Sequence, residues 1–122
     1  MTKTILLVDD DPDLVEMLRR KLEAEGYAVV MALDGKEALM KAEASQPDLV
    51  LLDLMMPVMD GFATLQELRR MPKTHATPIV ILTGKGDRKS IFQAELLGAN
   101  GFLVKPCDWT DMANMVRKHL GE

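Results

Sequence analysis

Four aspartates follow the first apolar run of the chain, in the stretch TILLVDDDPDLVEML (residues 4–18). They are Asp9, Asp10, Asp11 and Asp13, and like charges packed this closely repel one another. Asp11 is expected to cap a helix that begins at the next residue, but capping needs only one carboxylate. Asp9 and Asp10 are better explained by a hard divalent cation. Mg²⁺ fits best, because it takes one or two carboxylates together with water and phosphate oxygens.

Three further residues capable of chemistry stand at the ends of later apolar runs. Asp53 ends DLVLLD, Thr83 ends PIVILT, and Lys105 ends FLVK directly before Pro106. An aspartate held between a divalent cation and an ammonium, with a hydroxyl nearby, is the arrangement that phosphoryl transfer to a carboxylate requires. Taken alone, Thr83 is equally typical of a β-branched strand end and Lys105 of a surface lysine. Their chemistry depends on whether the fold brings them together.

The elements that must position these residues alternate regularly along the chain. Five compact runs rich in Val, Ile and Leu lack strict alternation, which predicts strands buried on both faces of a parallel sheet. They are residues 4–8, 28–32, 48–53, 78–83 and 102–105. Helical patterns follow each run, from Pro12 to just before Gly26 and over 35–45, 62–71, 88–97 and 109–119. Five such repeats predict a doubly wound α/β sheet, in which ligands bind beyond the carboxyl ends of the strands.

Composition narrows the class of protein further. A chain of 122 residues predicts one domain over 1–122, and its net charge of −4 argues against nucleic-acid binding by this domain. No apolar run approaches the ~20 residues that a membrane span needs, so no membrane contact is expected. The single cysteine, Cys107, excludes an internal disulfide and suits a reducing compartment. We therefore expect a cytoplasmic protein in which Cys107 is an inert, partly buried thiol.

At this point the chain resembles a response-regulator receiver domain, the phosphorylated half of bacterial two-component signalling. Four motifs are similar to those of that family, in the same order and over nearly the whole chain. They are the acidic pair Asp9-Asp10 after the first run, then LLDLMMPVMDG, ILTGKG and GANGFLVKP. The spacings between Asp53, Thr83 and Lys105 are similar too. The resemblance implies a flavodoxin-like (βα)5 fold, with strand order 2-1-3-4-5 and helices on both faces of the sheet.

The resemblance also implies a role for each acidic residue. Asp53 is the phosphoacceptor, which takes its phosphoryl group from the phosphohistidine of a sensor histidine kinase, from a phosphotransfer protein or from a small phosphodonor. Mg²⁺ is held by Asp10, Asp53 and the main-chain carbonyl of Met55, and Asp9 joins through water. The chain assists its own phosphorylation and dephosphorylation but is not an enzyme acting on other molecules.

The switching residues are implied in the same way. Thr83 hydrogen-bonds the new phosphoryl oxygen, Lys105 pairs with it, and the Lys105–Pro106 peptide bond is cis. Phe102 matches the switch aromatic, which turns into the space that Thr83 and its loop vacate; the alternative is a plain core residue. The switched surface comprises the fourth helix, fifth strand and fifth helix, where a downstream protein or a second copy binds. Its expected contact residues are Ile91 and those near Met112 or Met115.

Two more pairs of residues are assigned by the resemblance. Met55 and Lys85 flank the approach of water to the phosphoryl group, and since Met55 lacks a strong hydrogen-bonding group, a long-lived phosphoryl group is expected. Pro57 and Gly61 fit the turn after the phosphorylated strand.

Two other functions use related architectures. Phosphatases of the haloacid-dehalogenase type also phosphorylate an aspartate, but they carry a second aspartate two residues on, where this chain has Met55. A flavodoxin-like FMN carrier wraps phosphate in a Ser-, Thr- and Gly-rich loop after the first strand. This chain has Asp9, Asp10 and Asp11 there, and they repel phosphate unless a metal intervenes. Whether the chain is a stand-alone regulator or part of a larger regulator or hybrid kinase stays open.

Overall fold

Five apolar runs pair as parallel strands, each followed by a helix, in the computed structural model, which describes residues 2–56, 59–84 and 88–122. The strands are β1 (Thr4–Val8), β2 (Ala28–Ala32), β3 (Leu49–Asp53), β4 (Ile79–Thr83) and β5 (Gly101–Val104). The helices are α1 (Pro12–Ala24), α2 (Gly35–Ser45), α3 (Gly61–Arg70), α4 (Arg88–Leu96) and α5 (Trp109–His119). The expectations for Pro57 and Lys85 concern residues outside the described ranges.

The sheet has the order β2-β1-β3-β4-β5, which confirms the predicted doubly wound topology. β1 lies between β2 and β3, and its Leu6 pairs with Val30 on one side and Val50 on the other. The order reverses at β1 and β3, so the carboxyl ends of these two strands flank the crevice where such sheets bind ligands.

Helices cover both faces of the sheet, as predicted, and each face has its own hydrophobic core. One core joins α2, α3 and α4 to the side chains of Leu6 and Val8, and the other joins α1 and α5 to those of Ile5 and Leu7. Successive residues of one strand thus serve opposite faces, because side chains alternate along a strand. Both faces of β1, β3 and β4 are apolar, which explains why their sequences do not alternate.

The expectation that all five strands are buried on both faces was wrong for the two outer ones. No residue of β2 before Ala32 is fully buried, and in β5 only Leu103 is. Phe102 is 40% exposed and Val104 nearly as much. Each outer strand has one neighbour in the sheet, and several of its side chains stay open to solvent. A short apolar run does not distinguish a central strand from an edge strand.

Aspartate side chains define the starts of three helices. Asp11 accepts hydrogen bonds from the main-chain N–H groups of Asp13 and Leu14, which confirms it as the cap of α1. Asp34 accepts from Glu37 at 2.8 Å and begins α2, and Asp60 does the same at the start of α3. These caps place the start of each helix close to the carboxyl edge of the sheet.

Candidate functional site

The side chains that the sequence singled out converge at the carboxyl edge of the sheet. Asp9 directly follows β1, Asp53 and Thr83 are the last residues of β3 and β4, and Lys105 directly follows β5. Asp53 is only 3% exposed, and Asp9 and Thr83 are buried as well. Buried polar groups at a strand end cost free energy unless they are paired, so their partners decide the chemistry of the site.

Three carboxylates form the acidic part of the site. Asp9, Asp10 and Asp53 each offer one carboxylate oxygen, and these three atoms lie within 4.8 Å of one another. Asp10 is exposed whereas the other two are buried, so the cluster opens to solvent on one side. Hard oxygen donors, an excess of negative charge and access for water fit Mg²⁺, which keeps several waters when it binds to proteins.

Lys105 supplies the positive charge of the site and contacts two of the carboxylates. Its Nζ donates to Oδ2 of Asp9 and lies 3.5 Å from Oδ2 of Asp53. Its main-chain N–H donates to the carbonyl of Thr83 at 2.6 Å, and the Lys105–Pro106 peptide bond is cis, as expected. The sequence indicated Asp53 as the partner of Lys105. The closer contact with Asp9 was not anticipated, since side-chain reach cannot be read from strand order.

Main-chain N–H groups orient the two buried carboxylates. Oδ1 of Asp53 accepts from the N–H of Met55 at 3.1 Å, and Oδ1 of Asp9 accepts from the N–H of Asp11 at the same distance. In each case the aspartate bonds to the backbone two residues on, which is a turn that this side chain favours. The second oxygen of each carboxylate is thereby left facing Lys105. The Met55 side chain points outward and is exposed.

Burial and neighbouring charges shift the acidity of the central groups. Burial raises the pKa of Asp53 from 3.8 to about 6; the Met55 N–H opposes this shift, and the charge of Asp9 adds to it. Burial alone lowers the pKa of Lys105, but the Asp9 and Asp53 carboxylates hold it above its ordinary value. Lys105 therefore stays charged at neutral pH. Because its pKa is raised, Asp53 begins to bind a proton only slightly below neutral pH.

A close backbone contact joins the start of α3 to the end of β3. The N–H of Gly61 donates to the carbonyl of Leu54 at 3.1 Å. A Cβ atom at Gly61 would lie 2.4 Å from Cα of Leu54 and 2.5 Å from the carbonyl oxygen of Asp53. Only glycine allows the start of α3 to approach the end of β3 this closely.

We expect Gly61→Ala to lower the free energy of unfolding by about 2 kcal/mol, because the added methyl group meets main-chain atoms that cannot rotate away. Urea unfolding measures this change. Gly84→Ala is the matched control, since a Cβ there would meet none of the described residues within 4 Å. Equal effects of the two substitutions would contradict the proposed close contact.

The surface of α4, β5 and α5 differs in detail from the expectation. Met112 is only 2% exposed and packs in the core with Val116, so it cannot contact a partner. Met115 is partly buried. The exposed apolar residues are instead Phe92 and Leu96, together with Phe102 and Val104 of β5. The helical spacing of Met112 and Val116 was the signal that could have placed Met112 inward.

Cys107 is partly buried, as expected from the sequence. It lines an apolar cleft of about 390 Å³ between α1 and the start of α5, together with Leu14 and Met17. Burial raises the pKa of the Cys107 thiol, so little reactive thiolate forms at neutral pH.

Comparison with known proteins identifies the family. A family model described as the response regulator receiver domain matches residues 5–117. The chain belongs to the response-regulator receiver domains. The haloacid-dehalogenase and flavodoxin alternatives are therefore not favoured.

The "DNA-binding dual master transcriptional regulator RpaA" of Synechocystis sp. is 41% identical over 113 residues, which cover 93% of this receiver domain and 47% of that protein. The chain thus spans less than half the length of this relative.

Solved structures support the same assignment. The chemotaxis protein CheY4 of Vibrio cholerae has a TM-score of 0.94 and 32% identity, covering 98% of this receiver domain and all of that chain. The receiver domain of the sensor histidine kinase PA1611 of Pseudomonas aeruginosa has a TM-score of 0.91 and 28% identity, with each chain fully covered. That structure is described with a magnesium ion coordinated in its active-site cleft.

Among the described residues, none of the helices is both long enough and apolar enough to cross a bilayer.

Proposed function

We propose that this receiver domain carries a signal as an acyl phosphate on Asp53. The phosphoryl group comes from the phosphohistidine of a sensor histidine kinase, from a phosphotransfer protein or from a small phosphodonor. The observation that carries this proposal is the setting of Asp53. Its carboxylate is buried, held by the Met55 N–H at 3.1 Å, and has Lys105 at 3.5 Å from its second oxygen.

In the proposed transfer, a new bond forms at a carboxylate oxygen of Asp53 whose position is fixed. A carboxylate oxygen of Asp53 bonds to phosphorus, the bond from phosphorus to the donor nitrogen or oxygen breaks, and the electron pair leaves with the donor. The hydrogen bond from Met55 holds one oxygen of Asp53 in place, so the other is available as the nucleophile. Lys105 is charged and adjacent, and it stabilises negative charge on the phosphoryl oxygens.

Asp9, Asp10 and Asp53 would hold Mg²⁺, together with the main-chain carbonyl of Met55. Mg²⁺ supplies charge neutralisation at the phosphoryl oxygens when it is bound. Three carboxylates against one ammonium leave the pocket with excess negative charge, which would otherwise repel a phosphodonor. Asp9 already bonds to Lys105 with one oxygen and to Asp11 with the other, which agrees with a contribution through water rather than direct ligation.

The output passes through Thr83 and Phe102 to the surface of α4, β5 and α5. Thr83 ends β4, one residue beyond Leu82, the residue that pairs with Asp53 on the neighbouring strand. Its hydroxyl hydrogen-bonds a phosphoryl oxygen. Phe102 lies on β5 opposite Ile81 and is 40% exposed, so it gains burial if it turns inward. A change in its position alters a surface that already exposes Phe92 and Leu96. A downstream protein or a second copy of the chain binds there.

The proposed function is confined to one domain and to its own phosphoryl group. We propose that residues 1–122 act as one receiver domain in the cytoplasm, without binding nucleic acid or membrane themselves. It promotes reactions of its own phosphoryl group and does not process another substrate. DNA binding is named for the relative RpaA as a whole, of which this receiver domain matches under half.

Phosphorylation by a small donor tests the proposed function. With acetyl phosphate or phosphoramidate and Mg²⁺, we expect the intact mass to increase by one phosphoryl group. Asp53→Asn should abolish this gain, because an amide cannot form the acyl phosphate. Asp48→Asn, at the opposite end of β3, is the matched control and should be labelled like the unaltered protein. Equal labelling of the Asp53→Asn protein would overturn the assignment.

We expect Asp10→Ala to weaken Mg²⁺ binding by at least about tenfold, since even second-shell changes commonly cost that much. Mg²⁺ titration followed by NMR shifts of residues 9–11 and 53–55 measures the affinity. Asp13→Ala removes a carboxylate of similar exposure that lies in α1, outside the cluster. If the two variants bind Mg²⁺ equally well, Asp10 is not a ligand.

A further inference from the structure

Arg69, near the end of α3, ties three segments together at the edge of the sheet opposite the site. Its Nε and Nη2 donate to the carbonyl of Gly98 at 3.0 and 2.8 Å. Its Nη1 donates to the carbonyls of Thr74 and Thr77, and Nη2 also donates to Oδ1 of Asn100 at 2.7 Å. The acceptors are main-chain carbonyls and an amide, so the hydrogen bonds of the guanidinium hold these segments in a fixed arrangement. We call this set the Arg69 clasp.

The segment after α4 is shaped to fit this clasp. Gly98 has a φ of +105°, which favours glycine, and a Cβ there would lie 2.9 Å from Nε of Arg69. Asn100 extends the connection to β4, because its Oδ1 accepts from the N–H of Ile79 and its own N–H donates to the Ile79 carbonyl, both at 2.8 Å. The clasp therefore joins α3, the start of β4 and the turn after α4.

The rest of α4 buries few side chains. Ala94 is its only buried residue, and the next residues packed against that core are Leu97 and Ala99, beyond the end of the helix. No residue from 88 to 93 is buried, and Phe92 is 63% exposed. The buried apolar contacts of α4 and the turn after it are thus concentrated toward the carboxyl end, while the amino end lies nearer to Thr83 in the chain.

We propose that the Arg69 clasp is the fixed point about which α4 moves when this receiver domain switches. The proposal rests on the switching function proposed above. Change at Thr83 reaches the amino end of α4, where no side chain from 88 to 93 is buried, whereas the turn after its carboxyl end accepts hydrogen bonds from a charged donor. The exposed Phe92 and Leu96 move with the helix, so the clasp turns a local change into a reorientation of the partner surface.

NMR with and without beryllofluoride and Mg²⁺ tests this assignment. In the unaltered protein we expect shift changes at residues 90–92, and little change at 97–100, once the Asp53 signals show that the probe has bound. Arg69→Met should speed amide exchange at Ala99 and Asn100 by at least about tenfold and extend the beryllofluoride response to residues 97–100. Arg69→Lys, which keeps the charge but loses the planar fork, should act in the same direction.

Arg70→Met is the matched control, because Arg70 is the next residue of α3 and pairs only with the exposed Glu67 among the described contacts. The clasp is refuted if Arg69→Lys and Arg70→Met leave exchange at residues 97–100 alike. The fixed point is refuted if beryllofluoride binds Asp53 but shifts both ends of α4 equally. A failure of beryllofluoride to change the Asp53 signals would instead refute the phosphorylation function on which the inference rests.

Discussion

Asp53→Asn is expected to raise the free energy of unfolding of the metal-free protein by about 2–3 kcal/mol at pH 7.5. Burial raises the pKa of Asp53 from 3.8 to about 6, so its ionised form is less favourable in the folded protein than in the unfolded chain. Asparagine keeps the shape and the acceptor for the Met55 N–H but carries no charge. The residue proposed to carry the signal thus makes the resting protein less stable.

The free energy of unfolding depends on pH because folding raises the pKa of Asp53. Between pH 4 and 6 the folded protein holds a proton on Asp53 that the unfolded chain has released, so stability falls as the pH rises. Above pH 6 both states are ionised and the full cost is present. The advantage of Asp53→Asn should therefore be largest above pH 6 and vanish near pH 4.

Urea unfolding in the presence of a chelator, repeated across this pH range, measures the effect. Asp13→Asn removes an equal charge from the exposed surface of α1 and controls for the change in net charge. A gain for Asp53→Asn that does not vary with pH would show that ionisation of Asp53 is not its cause. Mg²⁺ should reduce the gain, because it stabilises the ionised form.

Lys105→Met is expected to have the opposite effect and to lower the free energy of unfolding by about 3 kcal/mol without Mg²⁺. Removing one partner of a buried ion pair leaves the other charge uncompensated. Here Asp9 and Asp53 both lose their ammonium, and their side chains are 1% and 4% exposed. Lys36→Met, on the exposed side of α2, is the control and should change stability little.

Two comparisons separate this electrostatic effect from lost packing. In an Asp53→Asn background Lys105→Met should cost at least about 1 kcal/mol less, because one of the two carboxylates is already neutral. Mg²⁺ should also stabilise Lys105→Met more than the unaltered protein, since no ammonium competes for the carboxylates. If the cost is the same in both backgrounds and independent of Mg²⁺, the role of Lys105 is packing alone.

The strand ends were predictable from sequence because chain order and sheet topology together determine them. Apolar runs ending in Asp53, Thr83 and Lys105 predict one converging edge as soon as the sheet is parallel. The cap at Asp11 was predictable for a similar reason, since it depends only on neighbouring residues.

The contacts that sequence reasoning missed depend on distances across the fold. Lys105 reaches Asp9 more closely than Asp53, and a long side chain at a strand end has several carboxylates within range. Residues near Met112 or Met115 were expected on the partner surface, but the rotation of α5 against the sheet places Met112 itself in the core. The acceptors of Arg69 come from two loops, and main-chain carbonyls carry no sequence signature.

The strand order also determines how this sheet can be assembled as the chain folds. β1, β2 and β3 complete a three-stranded unit within residues 4–53, and after that each strand adds beside the one before it in the chain. The loops to be closed for β4 and β5 are therefore short, which favours folding outward from the first half of the chain. Among the described strands, β5, which carries Phe102, pairs with β4 alone. An edge added last and held on one side opens at lower free energy than the centre, so it can rearrange while the β1–β3 unit stays folded.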